Sequence, residues 1–360
     1  MKPTIWIFSL ECLETRYTKQ WHDHIPKLLT KNVGDRFNVV QIDGVQKNSQ
    51  LTPGAFLNFS DTNYWKSSQL CNFLEHHNRG ETSTNDHILF TDAWNPTVIQ
   101  LKYMSDLLGF NWTLHGLFHA GSWDNQDFLG RLIGDAPWVR NAEFSFFYCF
   151  DHNYFATDFH IEMFCKNLLD DEDVEGIKAW HPGRIVRTGW PMEYMDGTLT
   201  PYKGMPKRDL ILFPHRIAPE KQVEIFRDLK DFLPQYEFVV CQDQELTKNE
   251  YHNLLGEAKI VFSANLQETL GISCYEGALV GAIPMVPDRL SYSEMYFDTF
   301  KYPSEWTEDW NSYINCRAYL IREIMQHMDN YESRLPMLKK QTDSLSDNFF
   351  SSNDLLKNIK

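Results

Sequence analysis

The chain has 360 residues, 42% hydrophobic and 23% charged, which suits a folded protein and, at this length, two domains rather than one core. A net charge of −15 excludes bulk attraction to polyanions, so a nucleic-acid partner would need a local basic patch. No stretch approaches 18 apolar residues, which predicts no membrane span, and seven scattered cysteines without a CxxC pair point to reduced thiols in the cytoplasm.

From the N-terminus, "TIWIFSL" reads as a buried strand and "RYTKQWHDHIPKLLTK" as a helix interrupted by Pro26. "FNVVQIDG" and "DHILFTDAW" read as the next strands. "NPTVIQLKYMSDLLG" is a helix opened by Asn95-Pro96 and stopped by Gly109. "WTLHGLFHAG" is a strand, and "FSFFYCFDHNYFATDFHIEMF" a strand passing into a helix. The acidic "LLDDEDVEGIKAWHPGR" breaks the pattern, which places a boundary near 170–190.

The alternation then resumes. "DLILFPH", "YEFVVCQ", "KIVFSAN" and "IPMVP" are strands. "APEKQVEIFRDLKDFLP", "TKNEYHNLLGEA" and "GISCYEGALVGA" are helices. The expectation is an α/β protein of two Rossmann-like domains, residues 1–180 and 185–335, facing a central cleft, with a C-terminal helical tail at 336–360, and with the strongly helical "SYINCRAYLIREIMQHMDNYESRLPMLKKQ" packing back across both halves.

Two spacings carry chemistry. In "NLQETLGISCYEGALVGAIPMV", Gly271 opens a helix, whose free N–H groups suit a phosphate. Glu268 precedes that helix and Glu276 lies inside it, and a carboxylate can accept from vicinal hydroxyls of a ribose or sugar. A solvated loop acid and a helix acid paired with a lysine have the same spacing. In "FPHRIAPEKQ", Arg216 and Lys221 follow a strand end and could clamp a diphosphate, or could be two surface cations.

Taken together, these segments resemble the C-terminal domain of GT-B glycosyltransferases, in particular the retaining group typified by glycogen synthases and bacterial mannosyl- and glucosyltransferases. "RIAPEK" matches its Arg-x4-Lys, "ETLGISCYE" its Glu-x7-Glu, and "GALVGAIPMV" its Gly-x-Pro before a strand, over about residues 185–290. The resemblance implies an enzyme, a hexosyl- or pentosyltransferase, acting with net retention. It implies no metal and no cofactor, with a UDP-sugar as co-substrate. It implies that Arg216 and Lys221 neutralise the donor diphosphate, that Glu276 holds the ribose hydroxyls, and that Glu268 with the amides of Leu270, Gly271 and Ile272 holds the transferred sugar.

In the N-terminal half, Asp92 and His119 end strands, and His119 is the candidate sugar contact at the reaction centre; a core or capping histidine fits the same position. Asp124 and Asp127 suit an acceptor wall or helix caps, and Trp123, Phe128 and Trp138 suit base stacking or core packing. The group's glycine pair after the first strand is replaced by "LECLETRYTKQW", where Arg16 could reach the phosphates or an anionic acceptor. "ETRYTKQWHDHIPKLL", "LFHAGSWDNQDFLGR" and "NYFATDFHIEMF" resemble the glycosyltransferases of T-even-like bacteriophages. That implies transfer of glucose or a pentose such as arabinose to 5-hydroxymethylcytosine in double-stranded DNA, in the host cytoplasm. Lys27, Lys31, Arg36, Lys203, Lys207, Arg208, Lys339 and Lys340 could form a DNA-facing stripe or solvated faces. The alternatives are a polysaccharide, lipid-linked or small-molecule acceptor, a GT-B-like sugar-nucleotide epimerase, or a binding module without turnover.

Overall fold

Strands that are apolar on both faces need cover on both sides, and here two parallel sheets receive it from helices. The computed structural model describes residues 2–13, 17–47, 49–50 and 58–359. The chain divides into two units, Met1–Pro191 with Ser352–Lys360, and Met192–Ser351.

The first unit is built from β1 (Thr4–Phe8), α1 (Tyr17–Val33), β2 (Asn38–Ile42), α2 (Phe59–Asn78), β3 (His87–Phe90), α3 (Thr97–Leu108) and β4 (Thr113–Phe118). There follow α4 (Phe128–Ile133), α5 (Pro137–Cys149), β5 (His152–Phe155), α6 (Asp158–Leu168), α7 (Val174–Trp180) and β6 (Ile185–Arg187). The strands are parallel in the order β2-β1-β3-β4-β5-β6. All five residues of β1 are buried, as a central strand requires, whereas β2 at the edge buries only Ile42. The chain winds outward from β1 to β2 and then back to β3. The order therefore reverses between β1 and β3, and their carboxyl ends open a crevice between diverging loops.

The second unit holds α8 (Tyr194–Leu199), β7 (Arg208–Phe213), α9 (Val223–Phe232), β8 (Glu237–Val240), α10 (Lys248–Glu257) and β9 (Ala258–Phe262). It continues with α11 (Ile272–Leu279), β10 (Ile283–Pro287), α12 (Tyr292–Met295), β11 (Lys301–Tyr302), α13 (Trp310–Asp329) and α14 (Tyr331–Asn348). Its sheet is again parallel, in the order β11-β10-β9-β7-β8, with the reversal between β7 and β9. Phe350 stacks on Tyr275 of α11 with centroids 3.8 Å apart. The last helix, α15 (Asn353–Asn358), belongs to the first unit.

Several expectations need correction. Pro26 does not interrupt α1. Trp21, Ile25, Leu29 and Val33 are buried at four-residue spacing, and that packing outweighs the roughly 3 kcal/mol that an interior proline costs. "FSFFYCF" is not a strand but the end of α5, where Val139, Glu143, Phe146 and Phe147 are buried at helical spacing after a proline in the first turn. Its aromatic β-propensity is overridden by packing, and the strand starts only at His152. The helix α2 was not anticipated. The changeover between units falls after Pro191 rather than between 180 and 185, because Ile185–Arg187 pairs with β5 as the sixth strand of the first sheet. The expected tail at 336–360 starts instead inside α14, which opens at Tyr331 and runs through Pro336.

Candidate functional site

In the second unit, the loops after β7 and β9 flank the point where strand order reverses, and both candidate signatures sit on them. After β7 the chain passes Arg216 and a 3-10 turn, Pro219–Lys221, before Gln222 enters a left-handed conformation (φ 52°) and starts α9. After β9 it runs from Ser263 to Gly271, also left-handed (φ 64°), which opens α11. A Cβ at Gly271 would lie 2.6 Å from the Tyr292 ring, so both the backbone angle and the space favour glycine.

Lys221 joins the two loops. Its Nζ lies 3.2 Å from Glu268 Oε2 and also donates to the Gln267 carbonyl. The pair is largely buried, with the lysine side chain 7% and the glutamate side chain 20% exposed. Asn265 Nδ2 donates to the same Oε2 at 3.0 Å, and the Thr269 N–H donates to Oε1 at 3.2 Å. Burial pushes the Glu268 carboxyl up, but the Lys221 charge, His215 and the Gly271 N–H together hold it below its ordinary value. His215 is buried beside this pair. Burial, with Lys221 adding to it, lowers its ring to about 4. The neutral ring is assigned as donating from Nε2 to the Phe262 carbonyl, leaving Nδ1 for Asn265 and Ser273 at 3.4 Å each.

Residues that no spacing announced hold these loops. Gln222 Nε2 donates to the carbonyls of Ala264 and Thr307. Arg289 donates to the same two carbonyls and to those of Asn265 and Ser304. The Leu266 N–H donates to the Glu220 carbonyl at 2.8 Å. Arg216, with its side chain 34% exposed, donates to the carboxylate of Glu220, which is buried. The signal for that partner was present, since Glu220 lies inside the Arg-x4-Lys spacing one turn after the arginine.

Glu276 faces a different neighbour. Tyr251, in the first turn of α10, donates its hydroxyl to Glu276 Oε2 at 2.8 Å. Burial raises the Glu276 carboxyl, against the Tyr251 hydrogen bond and the Lys248 charge. Leu270 is fully buried, so only its backbone could serve a ligand, and the Gly271 N–H already serves Glu268.

In the first unit, His119 follows β4. Its Nε2 donates to the Thr91 carbonyl at 2.6 Å, and Tyr17 Oη lies 2.8 Å from Nδ1. The Trp190, Trp21 and Tyr17 rings surround it at 4.5, 5.2 and 6.1 Å between centroids. Asp92, after β3, is ion-paired with Lys66 at 3.1 Å and accepts from the Trp94 N–H. Trp123 corrects an expectation. It is 3% exposed and packs against Phe155, His160 and Phe164 in the core, so it offers no face to a ligand. Asp124 and Asp127 are buried; Asp124 accepts from the Gln126 N–H, and Asp127 caps α4 at Leu129. Arg16 lies outside the described residues. Of the acids at 170–173, Asp173 caps α7. Among the described residues no group of three His, Cys, Asp or Glu side chains could hold a metal ion, and no helix is long and apolar enough to cross a membrane.

No protein-family profile matches this sequence, and no curated protein matches it at the sequence level. Solved structures do match in fold. The catalytic domain of starch synthase IV from Arabidopsis thaliana, bound to ADP and acarbose, aligns with a TM-score of 0.60 at 10% identity, over 99% of this chain and 97% of that one. Sucrose-phosphate synthase from Thermosynechococcus elongatus aligns with a TM-score of 0.60 at 11% identity, over the same shares. A TarM variant from S. aureus, in complex with UDP and alpha-GlcNAc-glycerol, aligns with a TM-score of 0.50 at 12% identity, over 81% of this chain and 57% of that one. The chain therefore has the GT-B architecture of two Rossmann-like units.

Proposed function

We propose that this chain is a nucleotide-sugar-dependent glycosyltransferase that acts with retention of anomeric configuration. The observation that carries the reading is the Lys221–Glu268 pair, which bridges the loops after β7 and β9 at the reversal of strand order. In open parallel sheets this is where ligands bind. The neighbours in fold support it, since their structures hold ADP, or UDP with a sugar.

In this reading Lys221 and Arg216 meet the donor diphosphate and stabilise the charge that builds on it as the glycosidic bond breaks. Arg216 leaves Glu220, or shares it, when the phosphates arrive. Glu268 accepts from hydroxyls of the transferred sugar, near the amides of Leu270 and Ile272, and Glu276 accepts from the ribose. Within the first unit, His119, held by Thr91 and Tyr17, is the candidate contact for the transferred sugar, and Asp92, paired with Lys66, is a second candidate. No step calls for a metal, because cationic side chains do the work on the leaving group.

For the acceptor we propose 5-hydroxymethylcytosine in DNA, on the resemblance of the three N-terminal segments to phage enzymes. Trp138, 57% exposed, is one aromatic available to stack on an extruded base. Three of the cations offered for a DNA-facing stripe are paired: Lys203 with Asp196, Lys339 with Asp343, and Arg208 with Glu237 and Glu257. Binding to DNA should therefore be weak and salt-sensitive. The test is mass spectrometry of hydroxymethylated DNA incubated with the protein and a panel of sugar nucleotides. A hexose or pentose added to the base supports both parts of the reading. Unmodified DNA alongside sugar transfer to a saccharide or small alcohol keeps the enzyme class and removes the DNA acceptor. Interconversion of the sugar nucleotide without transfer replaces the transferase reading by an epimerase.

A further inference from the structure

We propose that Tyr251 is a positioning residue for the nucleotide's ribose: its hydroxyl fixes one oxygen of Glu276 and leaves the other to accept from the ribose hydroxyls. The inference rests on the ribose role assigned to Glu276 above. Its geometry is local to the second unit. Oε2 takes the Tyr251 hydroxyl at 2.8 Å, and among the described residues Oε1 takes no hydrogen bond. A carboxylate with one oxygen tied and one free has its plane set before a ligand arrives, so less rotational freedom is lost on binding.

The tyrosine is itself well anchored. Thr247 and Glu250 form a reciprocal capping box at the start of α10, and the Tyr251 N–H donates to the Thr247 carbonyl at 3.0 Å. That fixes the first turn of α10, which packs against α11, and so the direction of the phenol. Nothing in the spacing of the two glutamates could have announced this partner, because Tyr251 precedes Glu276 by 25 residues and sits on another helix.

Charge supports the same role. Among the described residues, the groups that interact electrostatically with Glu276 are Tyr251 and Lys248 on α10, Cys241 just after β8 and Cys274 on α11. Burial, with Glu276 adding to it, pushes the Cys241 thiol up to about 12 and the Tyr251 phenol well above its ordinary value. Cys274 is also pushed up to about 12, by burial first. Both thiols stay neutral, and the phenol remains a donor across the working pH range. Burial raises the Glu276 carboxyl while the Tyr251 hydrogen bond and Lys248 lower it. Without the hydroxyl, the carboxyl would titrate at higher pH and the ionised form that accepts from ribose would be lost sooner as pH falls.

The test uses the full chain with Tyr251→Phe and, separately, Glu276→Ala. Titration calorimetry measures UDP, ADP and pyrophosphate from mildly acidic to mildly alkaline pH, and the kinetic constants for the donor are measured alongside. Tyr251→Phe should bind the preferred nucleoside diphosphate about three- to tenfold more weakly at neutral pH, the effect of one net hydrogen bond. Pyrophosphate binding and kcat should stay near wild type, and the acidic limb of nucleotide binding should move to higher pH. Wild-type nucleotide affinity with an unmoved limb overturns the inference, as does an equal loss for pyrophosphate, which would mean a general structural defect. If Glu276→Ala also leaves nucleotide affinity intact, the ribose role of Glu276 falls as well. If only Tyr251→Phe is silent, that role stands and the tyrosine is dismissed.

Discussion

Replacing Lys221 by alanine should damage stability and transfer through different routes, and a second substitution should separate them. In the folded protein the ammonium lies 3.2 Å from Glu268 and holds that buried carboxylate ionised. Removing one partner of a fully buried pair costs about 3–5 kcal/mol, mostly because the other charge is left without compensation. Glu268 retains 20% exposure and keeps hydrogen bonds from Asn265 and Thr269, so we expect about 2 kcal/mol. For a unit of about 160 residues that is a fall in Tm of roughly 4–8 °C. Adding Glu268→Gln should return at least half of the loss, since a neutral amide needs no cation. Transfer should not return. Removing a group that stabilises charge in the transition state costs about 10²–10³ in kcat, and the amide cannot replace it. The assays are thermal unfolding and single-turnover transfer from a labelled sugar nucleotide, on both single variants and the double variant. A Lys221→Ala protein as stable as wild type, or additive losses in the double variant, would refute the coupling. Near-wild-type turnover would remove Lys221 from the chemistry.

Three further outcomes are expected. Gln222→Gly should leave Tm almost unchanged, because glycine removes about 1 kcal/mol of left-handed strain while Arg289 still serves the Ala264 and Thr307 carbonyls; kcat should still fall, and a wild-type kcat would mean that the loop lock is irrelevant to turnover. His119→Ala should reduce transfer by about 10²-fold or more with nucleoside-diphosphate affinity unchanged, as its proposed role as a contact to the sugar alone requires; a matching loss of nucleotide affinity would contradict that role. Stability should fall as pH drops from 6.5 towards 4. His215 and His327, lowered to about 4 mainly by burial, stay neutral in the folded protein while the unfolded chain takes up protons, for up to about 3 kcal/mol each. Glu268, held below its ordinary value, acts in the same direction at lower pH, and Glu276 and Glu143, raised by burial, oppose it. A Tm that does not change over this range would show that these rings are not buried as described.

The sequence by itself determined the α/β alternation, because a strand buried on both faces must be apolar throughout, as "TIWIF" and "IPMVP" are. It also marked the two loops proposed here for the chemistry, since a glycine at a helix start and two cations five residues apart after a strand leave a local trace. Where long-range packing outweighed local preference, the local reading failed: α1 runs through Pro26, and an aromatic run becomes the end of α5. The roles of polar residues were decided only in three dimensions. Trp123 sits in the core, Asp92 pairs with Lys66, and Asp127 caps a helix, each through a neighbour distant in the chain or a local geometry that spacing does not encode. The meeting of Lys221 with Glu268, 47 residues later, follows from strand order. The crossover that places β9 beside β7 brings the two loops to one crevice, and strand order is a property of the folded sheet that no short pattern in the chain records.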